Sequence, residues 1–216
     1  MKKLFLVIVI IAFASGNIFA YEDYETDSAK NTITFDLVPL IFYTPIFWIV
    51  DPALNFVGTS IQYERYISRK FSVAGKIYYR GFYIIDDWQG EKTLDLFSVL
   101  SLDAIARYYP TGKQFFLDGI LGYASLLHSY EGYGTTRKSN SHFFKLGAKL
   151  GWRIDFGKPR GFVLEPSFGY YASIGRYNIE TGEGWFSDLA AMLQSFVVNQ
   201  LLIGSGYFSL CMGWSF

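Results

Sequence analysis

LIGSGYFSLCMGWSF, residues 202–216, closes the chain on a two-residue period. Phe208, Leu210, Met212, Trp214 and Phe216 occupy one set of alternate positions, and Ser209, Cys211, Gly213 and Ser215 the other. In an extended strand those two sets point to opposite faces. One face is as apolar as a protein core, yet it runs to the last residue without a charge. Either a soluble sandwich buries this strand against a second sheet, or the apolar face meets lipid. The rest of the chain decides between the two.

The same alternation recurs upstream in seven further segments, giving eight in all. The first, 31–41, sets Ile33, Phe35 and Leu37 against Thr32, Thr34 and Asp36. The second, 56–67, sets Val57, Ile61, Tyr63 and Ile67 against Gly58, Ser60, Gln62 and Glu64. Segments at 71–84, 95–109 and 114–128 continue the pattern. The sixth, 142–156, is the cleanest: Phe144, Leu146, Ala148, Leu150, Trp152, Ile154 and Phe156 alternate with Lys145, Gly147, Lys149, Gly151, Arg153 and Asp155. The seventh is 162–175. Alternation sustained over ten or more residues marks membrane-spanning strands rather than short sandwich strands.

Connection lengths point the same way. Those after the second, fourth and sixth strands are tight, at 68–70, 110–113 and 157–161. Those after the first, third, fifth and seventh are predicted to be long loops, at 42–55, 86–94, 129–141 and 176–201. An even-stranded barrel with both termini on the periplasmic side alternates in this way. Phe71, Phe115 and Phe162 follow the tight turns, and with Tyr66, Tyr108, Phe156 and Phe216 they are expected to form an interfacial aromatic girdle. A soluble meander has no reason to sort its loops by length.

Composition agrees. Aromatic residues make up 20% and charged residues only 18%, with 21 glycines. Lys plus Arg and Asp plus Glu are both 19, a balance that argues against a nucleic-acid partner. Residues 1–20, MKKLFLVIVIIAFASGNIFA, have the basic start, apolar run and small-residue end of a secretory signal peptide. Cys211 is the single cysteine, so neither an internal disulfide nor a lipid-anchoring cysteine after the apolar run is expected. Downstream, the longest apolar stretch, 37–50, is interrupted by Pro39 and Pro45 and cannot form a spanning helix. A greasy chain with no such helix is left with a closed barrel as its way across a membrane.

In this register the inward face carries Asp36, Glu64, Asp103, Asp118, Asp155 and Glu165 together with Lys76, Arg80, Arg107, Lys145, Lys149 and Arg153. Eight strands enclose an interior only just wide enough for side chains. Charges placed there must find partners. They are expected to form an ion-pair network that plugs the lumen, the alternative being a narrow charged pore.

The terminal pattern of Phe208, Leu210, Met212, Trp214 and Phe216 resembles the last strand of bacterial outer-membrane barrels, which the barrel-assembly machinery reads. The eight-segment layout resembles the small barrels of the OmpX, OmpW and OmpA-domain type over nearly the whole mature chain. Resemblance to the OmpA pattern stops at Phe216, where that pattern continues into a peptidoglycan-binding domain, so no cell-wall tether is expected. What the resemblance implies is an integral protein of the cell outer membrane, contacting outer-membrane lipid.

Two predicted loops are apolar. Ile46, Phe47, Trp48, Ile49 and Val50 lie in the first, and such a patch must fold onto the mouth, touch lipid or meet a partner. In the last, SDLAAMLQSFVVNQ at 187–200 spaces Leu189, Met192, Leu193, Phe196 and Val197 as a short amphipathic helix does. Phe47, Trp48, Ile49, Met192 and Phe196 are therefore candidates for an entrance that admits small hydrophobic ligands, a role the OmpW resemblance implies. Loops 86–94 and 129–141 are polar and contain Gly and Tyr, the makings of a surface-binding site.

Some small barrels are lipid A enzymes, so the two histidines need weighing. His128 and His142 are expected to be neighbours at the outer ends of the fifth and sixth strands, with Ser125, Ser129, Ser139, Ser141, Tyr130 and Glu131 nearby. A serine nucleophile needs such a base, but the H-x-S of the deacylase barrels is missing, and no enzyme is expected. No metal-ligand spacing or cofactor motif is present.

The sequence thus reads as an all-β, eight-stranded antiparallel up-and-down transmembrane barrel over 31–216, with a signal peptide at 1–20 and a short acidic lead at 21–30. It is expected to work as a monomer without cofactor or metal. Its expected role is to support the envelope or pass small hydrophobic molecules, and the alternative is a surface adhesin or host-factor binder.

Overall fold

The computed structural model describes residues 30–39, 54–88, 91–110, 114–132, 135–156, 160–176 and 206–216. Eight strands account for almost all of them: β1 (Asn31–Asp36), β2 (Leu54–Tyr66), β3 (Phe71–Trp88), β4 (Glu91–Tyr108), β5 (Phe115–Gly132), β6 (Thr135–Trp152, resumed over Ile154–Phe156), β7 (Gly161–Arg176) and β8 (Gly206–Ser215). Each pairs antiparallel with its sequence neighbour, and β1 pairs with β8, so the sheet closes on itself. A closed sheet leaves no unpaired edge.

The interruption in β6 has a local cause. Gly151 pairs with Ser167 and Ile154 with Leu164, the same register on both sides of the gap. That register brings Trp152 opposite Pro166, and a proline has no N–H to give to the ladder. Pairing lapses for two residues and resumes without a slip.

Burial is inverted relative to a soluble protein. Leu146 is 62% exposed and Ile174 71%, while Arg107, Glu64 and Lys145 are each 1% exposed. The two faces of 142–153 fall as the period predicts, and β8 does the same with Phe208, Trp214 and Phe216 outside and Ser209, Cys211 and Ser215 inside. Leu210 and Met212 are half-buried on the outer face. Apolar outside and charged inside is the stable order only where the surroundings are hydrocarbon.

At the tight-turn end, aromatic pairs link adjacent strands. Phe71 meets Tyr108 at 4.9 Å between ring centroids, Phe115 meets Trp152 at 5.0 Å and Phe156 meets Phe162 at 5.6 Å. Tyr66 is a correction to the expected girdle. It is buried in the lumen, because its even position on β2 shares the face of Glu64, and its hydroxyl lies 3.0 Å from that of Tyr109.

The larger correction concerns the outer connections. Residues 86–94 and 129–141 are not long loops: β3 and β4 stay paired out to Trp88 and Glu91, and β5 and β6 out to Gly132 and Thr135. Beyond the lipid band the faces no longer need to alternate, so the polar runs there read as loop although the ladder continues. Residues 1–29, the apolar stretch with Phe47, Trp48 and Ile49, and the expected helix at 187–200 with Met192 and Phe196 lie outside the described residues.

Candidate functional site: the lumen

The inward charges form two tiers. The inner one, toward the tight turns, centres on Arg107 of β4. Its Nε and Nη2 donate to the two oxygens of Asp118 at 2.7 and 3.1 Å, a fork-to-fork pair between register partners. Its Nη1 donates to Glu64 and Glu165, each at 3.0 Å, and the guanidinium lies 3.8 Å from the centre of the Phe116 ring. Arg153 reaches the same two carboxylates, Glu165 at 3.2 Å and Glu64 at 3.5 Å. It also donates to Thr32, at 3.0 Å, and to Ser215.

Lys149 adds a second cation to Asp118 at 3.1 Å, Tyr109 donates to Glu64 at 2.8 Å, and Ser72 also donates to Glu64. Every strand of the barrel therefore supplies at least one residue to this tier. Each buried charge has several partners, the condition under which desolvated ions are tolerated. Asp155 is a correction: it sits exposed at the rim, held to Arg153 at 2.8 Å, because β6 has left the enclosed part of the barrel there.

The second tier lies one layer outward, beyond an apolar layer of Ala74, Ile105, Ile120, Tyr171 and Tyr207. Lys145 pairs with Asp103 at 2.8 Å, its ammonium 4.4 Å from the Tyr78 ring centre and 4.6 Å from that of Tyr171. Asp103 and Lys145 are on β4 and β6, two strands apart, with Gly122 of β5 in register between them. A Cβ at Gly122 would collide with both side chains, so the pair exists because that position is glycine. Lys76 makes a longer pair to Asp36, at 4.0 Å. Beside it the amide of Gln62 and the hydroxyl of Thr34, on register partners, have no hydrogen-bond partner among the described residues. Arg80 is half-buried further out, its guanidinium 5.2 Å from the Tyr78 ring centre.

Above this tier the lumen turns apolar. Phe82, Phe97, Val99, Leu126 and Phe143 are buried on the inward face, and His128 stacks on Phe97 at 4.3 Å between ring centroids. These positions share the two-residue period of the inward charges. Aromatic side chains facing a lumen give no signal of their own.

The histidines are not neighbours. His128 faces the lumen, whereas His142 is exposed on the outer face with its Nδ1 2.7 Å from the Tyr123 hydroxyl. Ser125 donates instead to Asn140, at 2.9 Å. No serine–histidine–acid set is assembled among the described residues, nor any cluster of metal-ligating side chains.

A closed sheet of eight antiparallel strands, lipid-facing outside and charged within, decides the architecture. The fold is that of the small outer-membrane barrels. No protein-family model and no curated protein matches the sequence. Among solved structures, the chain is similar to Ail, the attachment invasion locus protein of Yersinia pestis, in complex with the heparin analogue sucrose octasulfate: TM-score 0.52 and 13% identity, over 88% of this chain and 99% of that one. A second structure of Ail matches over the same shares at 12% identity with a TM-score of 0.49.

Proposed function

We propose that this is a non-catalytic integral outer-membrane protein, exported behind residues 1–20, that works at the cell surface through its projecting hairpins. The observation that carries the reading is the pairing of β3–β4 and β5–β6 out to Trp88↔Glu91 and Gly132↔Thr135. Hydrogen-bonded ribbons standing on a packed barrel are stiff platforms, and rigid scaffolds are where binding residues are best presented. The charged tiers support a lumen that serves as a structural plug rather than a channel. The name and the bound heparin analogue of the Yersinia pestis barrel make host surfaces and sulfated glycans the first partners to test.

The test exchanges residues 86–94 and 131–136 for short Gly-Ser turns. The variant keeps its heat-modifiable migration in detergent gels and loses binding to host cells and heparin. Unchanged binding by the folded variant would refute the surface role.

Passage of small hydrophobic compounds is a second reading, favoured by the apolar outer end of the lumen at Phe82, Phe97, Val99, Leu126 and Phe143. It requires an exit through the wall, since the charged tiers obstruct the axis. Phe47→Ser with Trp48→Ser then lowers uptake of such compounds; unaltered uptake removes this reading.

A further inference from the structure

We propose that the outer rim of β5–β6 binds the phosphate of an anionic lipid headgroup, with His142, Asn140 and Lys138 as its donors and Tyr123 and Ser125 as positioning residues. The inference rests on the reading of the chain as an outer-membrane barrel.

It begins with where the hydrocarbon ends. On β6 the outward residues from Phe156 to Phe144 are all apolar, and at the next outward position stands His142, followed by Asn140 and Lys138. Twelve residues at about 3.3 Å each, on a strand tilted by roughly 40°, span about 30 Å of membrane normal, the thickness of a hydrocarbon core. Acyl chains that cover Phe144 and Leu146 therefore bring their headgroups level with His142. On β5 the first polar outward positions fall at the same height, with Leu127, opposite Asn140, exposed beyond them. Leu121 is exposed, and the next outward residues, Tyr123 and Ser125, face Phe144 and His142 in the register.

The chemistry of this rim is one-sided. Ser125 can give its proton only to Oδ1 of Asn140, which leaves the two N–H bonds of that amide available. The His142 Nδ1 lies 2.7 Å from the Tyr123 hydroxyl, and in the tautomer in which the phenol donates to it Nε2 carries the ring proton and is a second donor. Lys138 is exposed two positions further out. Glu131, the nearest outward carboxylate on this ribbon, lies opposite Thr136, beyond Lys138. Donors from His142 and Asn140 and the charge of Lys138 thus follow one another along the outward face from headgroup height upward, with no carboxylate at the positions between them. A phosphate oxygen supplies what they need.

The test uses the full-length folded protein in detergent and reads bound lipid by native mass spectrometry. Phosphatidylglycerol should bind at least tenfold more tightly than the phosphate-free diacylglycerol with the same acyl chains, about the effect of one hydrogen bond to a charged group. His142→Leu with Asn140→Leu should erase that preference, and Lys138→Gln or Ser125→Ala should each reduce it about threefold. Heat-modifiable migration is run on every sample. A double variant that still migrates as a folded barrel and keeps the full preference overturns the proposal; so does displacement of the lipid by equimolar inorganic phosphate or sucrose octasulfate, which would make a soluble anion the ligand. Should the double variant not fold, the two single variants decide by the same criterion. A wild-type chain without a heat shift would overturn the barrel reading itself.

Discussion

The two ends of the lumen are built differently. Toward the tight turns, Arg107 and Arg153 tie residues from all the strands into one network, whereas toward the outer hairpins Phe82, Phe97, Leu126 and Phe143 of β3–β6 line the inward face with hydrocarbon. The two ends have opposite sensitivities. An apolar plug loses stability in proportion to the volume removed. A charged one loses more at a single step, because removing Arg107 weakens the compensation of Asp118, Glu64 and Glu165 at once, leaving them to Lys149 and Arg153. The inner tier is accordingly the part of the barrel that fixes which strand heights meet, and the outer end is the part that can tolerate change.

Arg107→Leu breaks the comparison hardest. It strips Asp118 of its bidentate partner and weakens the hold on Glu64 and Glu165, with an expected cost of about 3–5 kcal/mol in urea unfolding from lipid vesicles. Phe97→Ala at the other end should cost about 3 kcal/mol through the cavity it leaves under His128, and a larger residue from the neighbouring strands should recover part of that. Gly122→Val sits between the two regimes. Its side chain forces Asp103 and Lys145 apart, and the expected loss is about 1–3 kcal/mol. Combining it with Lys145→Met should cost less than the sum of the two, since both act on the same pair. Tyr66→Phe, which removes one hydroxyl from the Tyr66–Tyr109–Glu64 chain, sharpens the account at the small end with about 1 kcal/mol. A result in which Phe97→Ala exceeds Arg107→Leu would reverse the assignment of the two ends.

The faces of the strands were readable from the sequence because a two-residue period is local. Lys145 and Leu146 declare their sides whatever lies across the barrel. Heights were not readable. That Arg107 meets Glu64 and Glu165 across the lumen depends on the register of every intervening strand pair, which no single segment encodes. The outer hairpins escaped for a different reason: past the hydrocarbon boundary no lipid enforces alternation, so DDWQGEKTL and SYEGYGTTRKSNS look like loops although their backbones remain paired. Tyr66 was misassigned because its aromatic character suggested the interface, whereas its even position, shared with Glu64, placed it inside.

We propose that the ion-paired tier closes the lumen. Single-channel recording on the purified wild-type protein in planar bilayers tests it most directly. The account predicts a silent membrane, with insertion verified by heat-modifiable migration of the recovered protein. Stable, ohmic conductance steps from the wild-type barrel would contradict it.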